Sequence, residues 1–263
     1  MKILLKIIKY QLHDLSRSKW IIIYTTFFFL LSYSLFTFNK DFSRVLISLM
    51  NVVLIIIPLV STIFGTIHYY NSKEYIIFML SQPIKRSTLF FGLYIGLALP
   101  LALSFVVGTS IPILFNLGNI HGDFDVLIFL FIAGFFQTII FCSIAFLIAT
   151  LNENKMLGLG LATFSWLAFS AIYDALILFL LQILQDYPIE KISIILSMLN
   201  PIDLARLLVI LKLDISALMG YTGAVFQKFF GSSLGTILSI LSLIVWAVIP
   251  FFIGIKNFSK KDF

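Results

Sequence analysis

The sequence predicts an all-α integral membrane protein, and three observations support that prediction. Of its 263 residues, 60% are apolar and 11% are charged, whereas a soluble domain has about 45–50% apolar and about 25% charged residues. The charges are clustered in short stretches that are separated by long uncharged runs. Several runs reach about 20 residues, the length of helix that crosses about 30 Å of hydrocarbon. This composition excludes a soluble enzyme, a disordered tail and a secreted disulfide-linked module.

Six runs are long and apolar enough to cross a bilayer. Each must be helical, because the hydrocarbon offers no partner to an exposed backbone amide. The fifth run contains a single acid, Asp174. We assign residues 20–184 to helices 1 to 5 and residues 232–255 to helix 6 of a single transmembrane domain that comprises residues 1–263. The predicted spans are residues 20–38, 45–70, 88–117, 126–151, 156–184 and 234–255.

An N-terminal amphipathic helix is predicted for residues 1–19, where bases alternate with apolar positions. Such a helix is typical of a segment that lies on an anionic leaflet. We expect it to bend into the first span near Trp20.

A second amphipathic segment, residues 185–231, is too polar to span the membrane and too apolar to be a flexible loop. Inside it, Asn200-Pro201-Ile202-Asp203 predicts a helix start, with Asn200 as the N-cap and Pro201 at the first helical position. The leucines that follow share one face, which predicts an interfacial helix lying against the bilayer. These leucines are Leu204, Leu207, Leu208 and Leu211.

The loop between the second and third spans, residues 71–87, is too long for a turn and too apolar for a simple tether. We predict a short helix from Lys73 to Gln82. An apolar helix outside the membrane requires a protein surface on which to pack, so this loop is a candidate docking element.

The distribution of Lys and Arg predicts the orientation of the chain in a bacterial cytoplasmic membrane. Six spans place both termini on one side, and that side collects twelve of the eighteen bases. Four of the remaining six lie in the long 185–231 segment, where bases have less influence on orientation. Both termini are therefore expected in the cytoplasm.

Four stretches make the chain similar to known permeases. They are Asp14 with residues 17–20, the loop end at residues 80–86, residues 152–155 with Tyr173-Asp174, and residues 199–206. With the six-span layout, they resemble the permease subunits of type-2 ABC transporters, and residues 199–206 resemble the NosY-like permeases of nitrous oxide reductase maturation. The chain departs from the usual pattern at Lys73-Glu74-Tyr75, where an acid followed by small residues is common, and at Gly92-Leu93, where Gly-Lys is common.

The resemblance implies a homodimer that works with two ABC ATPase subunits, which bind ATP and Mg²⁺. The chain itself would bind no cofactor, catalyse no reaction and contact no nucleic acid. For the NosY-like branch it also implies a periplasmic partner and a role in copper-site assembly. Two alternatives stay open: an exporter permease for a lipid, drug or polysaccharide, and a membrane scaffold without an ATPase.

Two groups of residues are candidate functional sites. The 71–87 loop is either the helix that couples the chain to the ATPase or a connector resting on lipid, and Ile77 joins its predicted anchors. Asp174 is either a helix-packing acid near the outer interface or part of a dimer or outer-partner surface. Asn200, Asp203 and Arg206 form a helix cap with an i,i+3 ion pair, to which a partner role would be added. The coupling candidates are Glu74, Tyr75, Phe78, Pro83, Lys85 and Arg86.

No catalytic or metal motif is evident. The chain has no phosphate-binding Gly-x-x-x-x-Gly-Lys-Ser/Thr loop and no His-Glu-x-x-His pair. Its three histidines, His13, His68 and His121, are far apart in sequence, so no metal site is predicted. The spacings Gly92-x-x-x-Gly96 and Gly231-x-x-x-Gly235 permit close helix packing.

Overall fold

The computed structural model describes residues 2–39, 41–116, 124–183, 190–210, 212 and 233–261. Helices make up nearly all of these residues, and no strand occurs among them. Six helices are long and apolar enough to cross a membrane. The all-α, six-span prediction is therefore confirmed. The predicted 185–231 segment lies partly outside the described residues, as do His121, Leu211 and Gly231.

The helices are numbered here in chain order, and the fifth span consists of α7, a π-helical turn and α8. The other spans are α2, α3, α5, α6 and α11. The elements are α1 (Lys2–Ser16), α2 (Lys19–Phe38), α3 (Phe42–Asn71), α4 (Lys73–Leu80), α5 (Arg86–Phe115), α6 (Phe124–Leu151), α7 (Lys155–Leu167), the π-helical turn (Ala168–Ile172), α8 (Tyr173–Ile183), α9 (Glu190–Met198), α10 (Pro201–Ile210) and α11 (Ser233–Lys260).

Helix α6 forms the centre of the bundle and contacts α3, α5, α7, α10 and α11. Its sequence is apolar on all sides, as expected for a helix that is surrounded by other helices. Aromatic rings fill the space beside it: Phe146 packs on Phe90 with ring centroids 5.6 Å apart, and Phe90 packs on Phe258 at 5.3 Å. Much of the phenylalanine content therefore builds an internal core.

The start of α1 and the end of α11 lie at one end of the bundle, which we call the basal end. Here Arg86 Nη1 donates hydrogen bonds to the carbonyl oxygens of Ser259 (3.1 Å) and Lys261 (2.5 Å). Lys261 Nζ donates to the carbonyl of Thr150 at 3.1 Å. These bonds join the start of α5 to the end of α11, and the end of α11 to the end of α6. The opposite end of the bundle is the distal end.

Helix α1 ends at Ser16, and α2 begins at Lys19, so the predicted break before Trp20 is confirmed. The apolar face of α1 packs on α5, however, and not on lipid. A Cβ atom on Gly92 would lie 2.5 Å from Ile7 Cγ2, and one on Gly96 would collide with Gln11. The Gly92-x-x-x-Gly96 spacing thus forms the groove that receives α1.

The helix after Asn200 does not lie on the bilayer surface, which corrects the prediction. All residues of α10 from Pro201 to Val209 except Arg206 are buried, and α10 contacts α3, α6 and α11. Leu204, Leu207 and Leu208 of the predicted stripe are therefore covered by protein. The sequence pattern is the same in both cases, because an apolar helix face suits either a lipid or a protein surface.

Helices α9 and α10 form a re-entrant pair whose tip reaches the middle of the bundle. The Gln137 amide donates to the Pro201 carbonyl at 2.6 Å, and Trp246 Nε1 donates to the Met198 carbonyl at 3.2 Å. Gln137 and Trp246 each lie fourteen residues, or about 21 Å, from the basal ends of their helices. Side chains of neighbouring helices therefore donate hydrogen bonds to the backbone carbonyls where the pair reverses direction. A non-helical segment at this depth requires such partners, because the hydrocarbon offers none.

Candidate functional site

Helix α4 carries three of the six predicted coupling residues, Glu74, Tyr75 and Phe78. The helix runs from Lys73 to Leu80, which ends two residues before the predicted limit. Ile76, on the inner face of this helix, is buried, whereas Phe78 is 63% exposed and Ile77 is 53% exposed. Glu74, Pro83 and Lys85 are also exposed. The helix therefore presents two apolar side chains with charged residues beside them.

Two of the predicted coupling residues are engaged within the chain. The Tyr75 ring stacks on Tyr10 of α1, with centroids 5.8 Å apart and 9° between the planes. Burial raises the pKa of Tyr75, and a hydrogen bond with Gln11 acts in the opposite direction. Arg86 binds the last carbonyls of α11. Tyr75 thus joins α4 to α1, and Arg86 joins α5 to α11.

A groove of about 470 Å³ lies between α1 and the segment that follows α4. Its walls combine apolar side chains with one base, Lys6. The groove is lined by Lys6, Ile7, Tyr10, Tyr75, Met79, Gln82, Pro83 and Ile84.

A set of hydrogen bonds, the basal tie, joins the α3–α4 corner to the start of the fifth span. Tyr70 Oη donates to the Asn152 carbonyl at 2.9 Å. Lys73 Nζ donates to the Glu153 carbonyl at 3.2 Å. Lys155 Nζ donates to Asn71 Oδ1 at 2.9 Å. A displacement of α4 would therefore be transmitted to α7.

A second group of polar residues, the distal cluster, joins the fifth span to α10. Arg206 lies between two acids, with Nη1 3.3 Å from Asp174 Oδ2 and 3.1 Å from Asp203 Oδ1. Asn200 Oδ1 accepts from the Ile202 amide at 3.0 Å, and Asn200 Nδ2 donates to Asp203 Oδ2 at 3.1 Å. The predicted N-cap and i,i+3 ion pair are confirmed.

The π-helical turn of the fifth span provides the other half of the distal cluster. Such a turn widens the helix locally and redirects a backbone carbonyl. Here the Phe169 carbonyl accepts a hydrogen bond from Asn200 Nδ2 at 2.9 Å. Beyond the turn, Tyr173 Oη donates to the Leu196 carbonyl of α9 at 2.5 Å. The re-entrant pair is thus held by the one irregular part of this span.

Burial distinguishes the members of the distal cluster. Asn200 and Asp203 are buried, while the side chains of Asp174 and Arg206 are each 34% exposed. Burial raises the pKa of the Asp203 carboxyl to about 6, the charge of Asp174 adds to this, and Arg206 opposes it. An outer-partner role stays a prediction, for which only Asp174 and Arg206 have accessible surface.

The sequence-based predictions omitted two features that hold the re-entrant pair in place, Gln137 and the π-helical turn. Gln137 is an uncharged amide inside an apolar span, so its polarity was a usable signal. The π-helical turn has no sequence signal of its own, because residues 168–172 are ordinary helix formers with a serine. Among the described residues, no group of three His, Cys, Asp or Glu side chains is close enough to hold a metal ion.

This helical bundle, with its surface helix α4 and re-entrant pair, defines a multi-pass membrane protein of the permease class. The model of the ABC-2 family transporter proteins matches residues 5–263, and the chain belongs to that family. Its domain is a transmembrane component and is not itself catalytic, and the family implies an ABC ATPase partner. No curated protein matches the chain.

Proposed function

We propose that this chain is the permease through which two ABC ATPase subunits drive copper-site maturation of nitrous oxide reductase. It works as a homodimer in a bacterial cytoplasmic membrane, with its basal end in the cytoplasm and a periplasmic partner at its distal end. The observation that carries the proposal is that the fifth span is held at two levels, at its basal start by the basal tie and from its middle outward, at Phe169 and Asp174, by the distal cluster.

The ATPase acts on the basal end of the chain in this proposal. An ATPase surface that contacts Ile77 and Phe78 would bury two exposed apolar side chains of α4. Its movement would pass through the basal tie to α7, because Tyr70, Lys73 and Lys155 bind residues on the two sides of the same corner. ATP and Mg²⁺ belong to the ATPase in this scheme.

Movement of the fifth span then acts on the re-entrant pair through the distal cluster. A shift of the fifth span would act on Asn200 through the Phe169 carbonyl and on Arg206 through Asp174. Both residues belong to the 199–206 stretch that resembles the NosY-like permeases. The re-entrant pair would then change the surface that a periplasmic partner meets, and this supports a maturation role without requiring a transported cargo.

The second candidate is an exporter for a lipid, drug or polysaccharide. It is favoured by the fifth span, whose exposed apolar side chains Leu157, Leu161 and Phe164 lie on one stripe and are not covered by any part of the chain that the structure describes. In a homodimer, this stripe could border a path for an apolar cargo.

The two candidates are distinguished by deleting the gene from a denitrifying host and measuring copper in purified nitrous oxide reductase. Maturation predicts a copper-deficient reductase, which the wild-type gene restores. An unchanged copper content would exclude this role and leave the exporter, which transport of a labelled cargo into inverted vesicles would then test.

Coupling is tested by purifying the tagged chain and quantifying the ATPase that accompanies it. Phe78→Ser should reduce the recovered ATPase at least about tenfold, as expected for the loss of a buried anchor. Phe115→Ser is the matched control, because Phe115 is an exposed phenylalanine at the other end of the bundle. Equal recovery with both variants would exclude α4 as the docking helix.

A further inference from the structure

Helix α5 is contacted closely at two separate points by the N-terminal part of the chain. At Gly96 it meets Gln11 of α1, and at Gly108 a Cβ atom would lie 2.6 Å from the Thr25 carbonyl of α2. Twelve residues, or about 18 Å of helix, separate these contacts. The corner between α1 and α2 bridges this interval, and a groove of about 480 Å³ remains beneath it.

The deep part of the groove is apolar and opens to the side of the bundle. Ile21 forms one wall, while Leu103 and Val107 of α5 form the other. Leu103 and Val107 are about half exposed, and no other part of the described chain covers them. Since α2 and α5 are both membrane spans, this opening faces the acyl chains of the bilayer.

The basal rim of the groove carries the positive charge of Lys9. Lys9 and His13 of α1 line it, and both are exposed. Residues 1–19 carry five bases and one acid, Asp14. Trp20, the residue before the wall residue Ile21, is exposed, and tryptophan is typical of the level at which lipid headgroups lie. The rim therefore combines positive charge with headgroup depth.

The dimensions favour a lipid over a helix from another protein. A helix about 10 Å wide and about 18 Å long occupies about 1,400 Å³, roughly three times the volume of the groove. An acyl chain is unbranched and much thinner.

We propose that the groove binds one anionic phospholipid of the basal leaflet. Its phosphate lies at Lys9 and His13, and one acyl chain runs beneath the α1–α2 corner along Ile21, Leu103 and Val107. The lipid supports α1 at the point where it leaves α5. Because α1 also carries Tyr10, which stacks on Tyr75, the lipid helps to position α4. The inference does not depend on the cargo or on the maturation role.

Thermal melting of the purified full-length protein in detergent, with added lipid, tests the proposal. Phosphatidylglycerol should raise the melting midpoint by about 3 °C or more, and phosphatidylcholine with the same acyl chains should raise it less than half as much. Glycerol phosphate, which has the same charged group without acyl chains, should produce no shift. Equal shifts with both lipids would overturn the anionic preference, and a full shift with glycerol phosphate would overturn the lipid assignment.

Two pairs of variants locate the binding site. Val107→Trp fills the groove and should abolish the shift, whereas Ile249→Trp places the same ring on an equally exposed surface of α11 and should retain it. Lys9→Gln should remove the preference for phosphatidylglycerol, and Lys6→Gln on the same helix should keep it. A wild-type response in Val107→Trp, or equal losses in both lysine variants, would overturn the proposal.

Discussion

At the scale of single residues, burial determines what an ion pair does. Among the described residues, two Asp–Arg ion pairs share the i,i+3 spacing and the distance of 3.1 Å, Asp41–Arg44 and Asp203–Arg206. In the first, the side chains are 78% and 53% exposed, so water screens the attraction. In the second, Asp203 is buried, and Arg206 also holds Asp174.

Replacing each arginine by alanine should therefore have unequal effects. Arg206→Ala leaves two acids without a cation and should destabilise the protein by about 1–3 kcal/mol. Arg44→Ala should change stability by no more than about 0.5 kcal/mol. Melting midpoints of the two purified variants provide the comparison. Similar midpoints would show that the distal cluster does not hold the fifth span to α10.

The Asp203 carboxyl should also make stability depend on pH. Its pKa is raised from 3.8 to about 6 in the folded protein, so between these values folding takes up a proton and lower pH favours the folded state. Asp174, Arg206 and Tyr173 are the ionisable groups that face it. The melting midpoint of the wild type, relative to Asp203→Asn, should rise as the pH falls from 7.5 to 5. A constant difference would contradict this prediction.

At the scale of elements, close contacts between helices depend on glycine at positions where no side chain fits. Two glycines of α7, Gly158 and Gly160, differ sharply in the space around them although only one residue separates them. A Cβ atom on Gly158 would collide with the Tyr70 hydroxyl, which belongs to the basal tie, whereas one on Gly160 would have no neighbour within 4 Å. The same Gly→Ala change at these two positions therefore compares a helix position with a steric clash to one without a clash.

Gly158→Ala should break the Tyr70–Asn152 hydrogen bond and lower the melting midpoint. Gly160→Ala should stabilise the protein by up to about 1 kcal/mol, because alanine is the better helix former. If Gly158→Ala also weakened ATPase stimulation while Gly160→Ala did not, the basal tie would be part of the coupling path. Equal melting midpoints for the two variants would show that the α3–α7 contact is loose.

At the scale of the whole molecule, the arrangement of the ends predicts which loops face each side of the membrane. The basal end carries α1, α4 and Lys261, the last residue that the structure describes, and the proposed orientation places this end in the cytoplasm. Cys142, the one cysteine, is fully buried, which provides an unreactive background for labelling.

A membrane-impermeant maleimide should label Arg44→Cys in intact spheroplasts and Ser81→Cys only after the membrane is disrupted. Both positions are exposed, at opposite ends of the bundle. Wild-type protein should stay unlabelled under both conditions. The reverse pattern would invert the orientation and move the ATPase to the other end.

Local sequence was enough to predict the spans, the α1–α2 break, the helix at Lys73 and the cap at Asn200. These features depend on neighbouring residues, because the length of an apolar run and the first turn of a helix are local properties. The predicted position of the helix after Asn200, on the bilayer surface, was wrong because the position of a helix is not a local property of its sequence. Burial of a leucine stripe is compatible with lipid or protein, and only the neighbours of α10 distinguish them.

The sequence alone therefore determined that the chain is a six-span helical membrane protein with its bases concentrated at one end. The folded chain decided how the parts are joined: α1 lies in the Gly92–Gly96 groove, Asn200 binds Phe169, and Gln137 binds Pro201. The last two contacts connect residues 31 and 64 positions apart. Helix formation follows from local burial and hydrogen bonding, whereas these contacts exist only when several helices have packed.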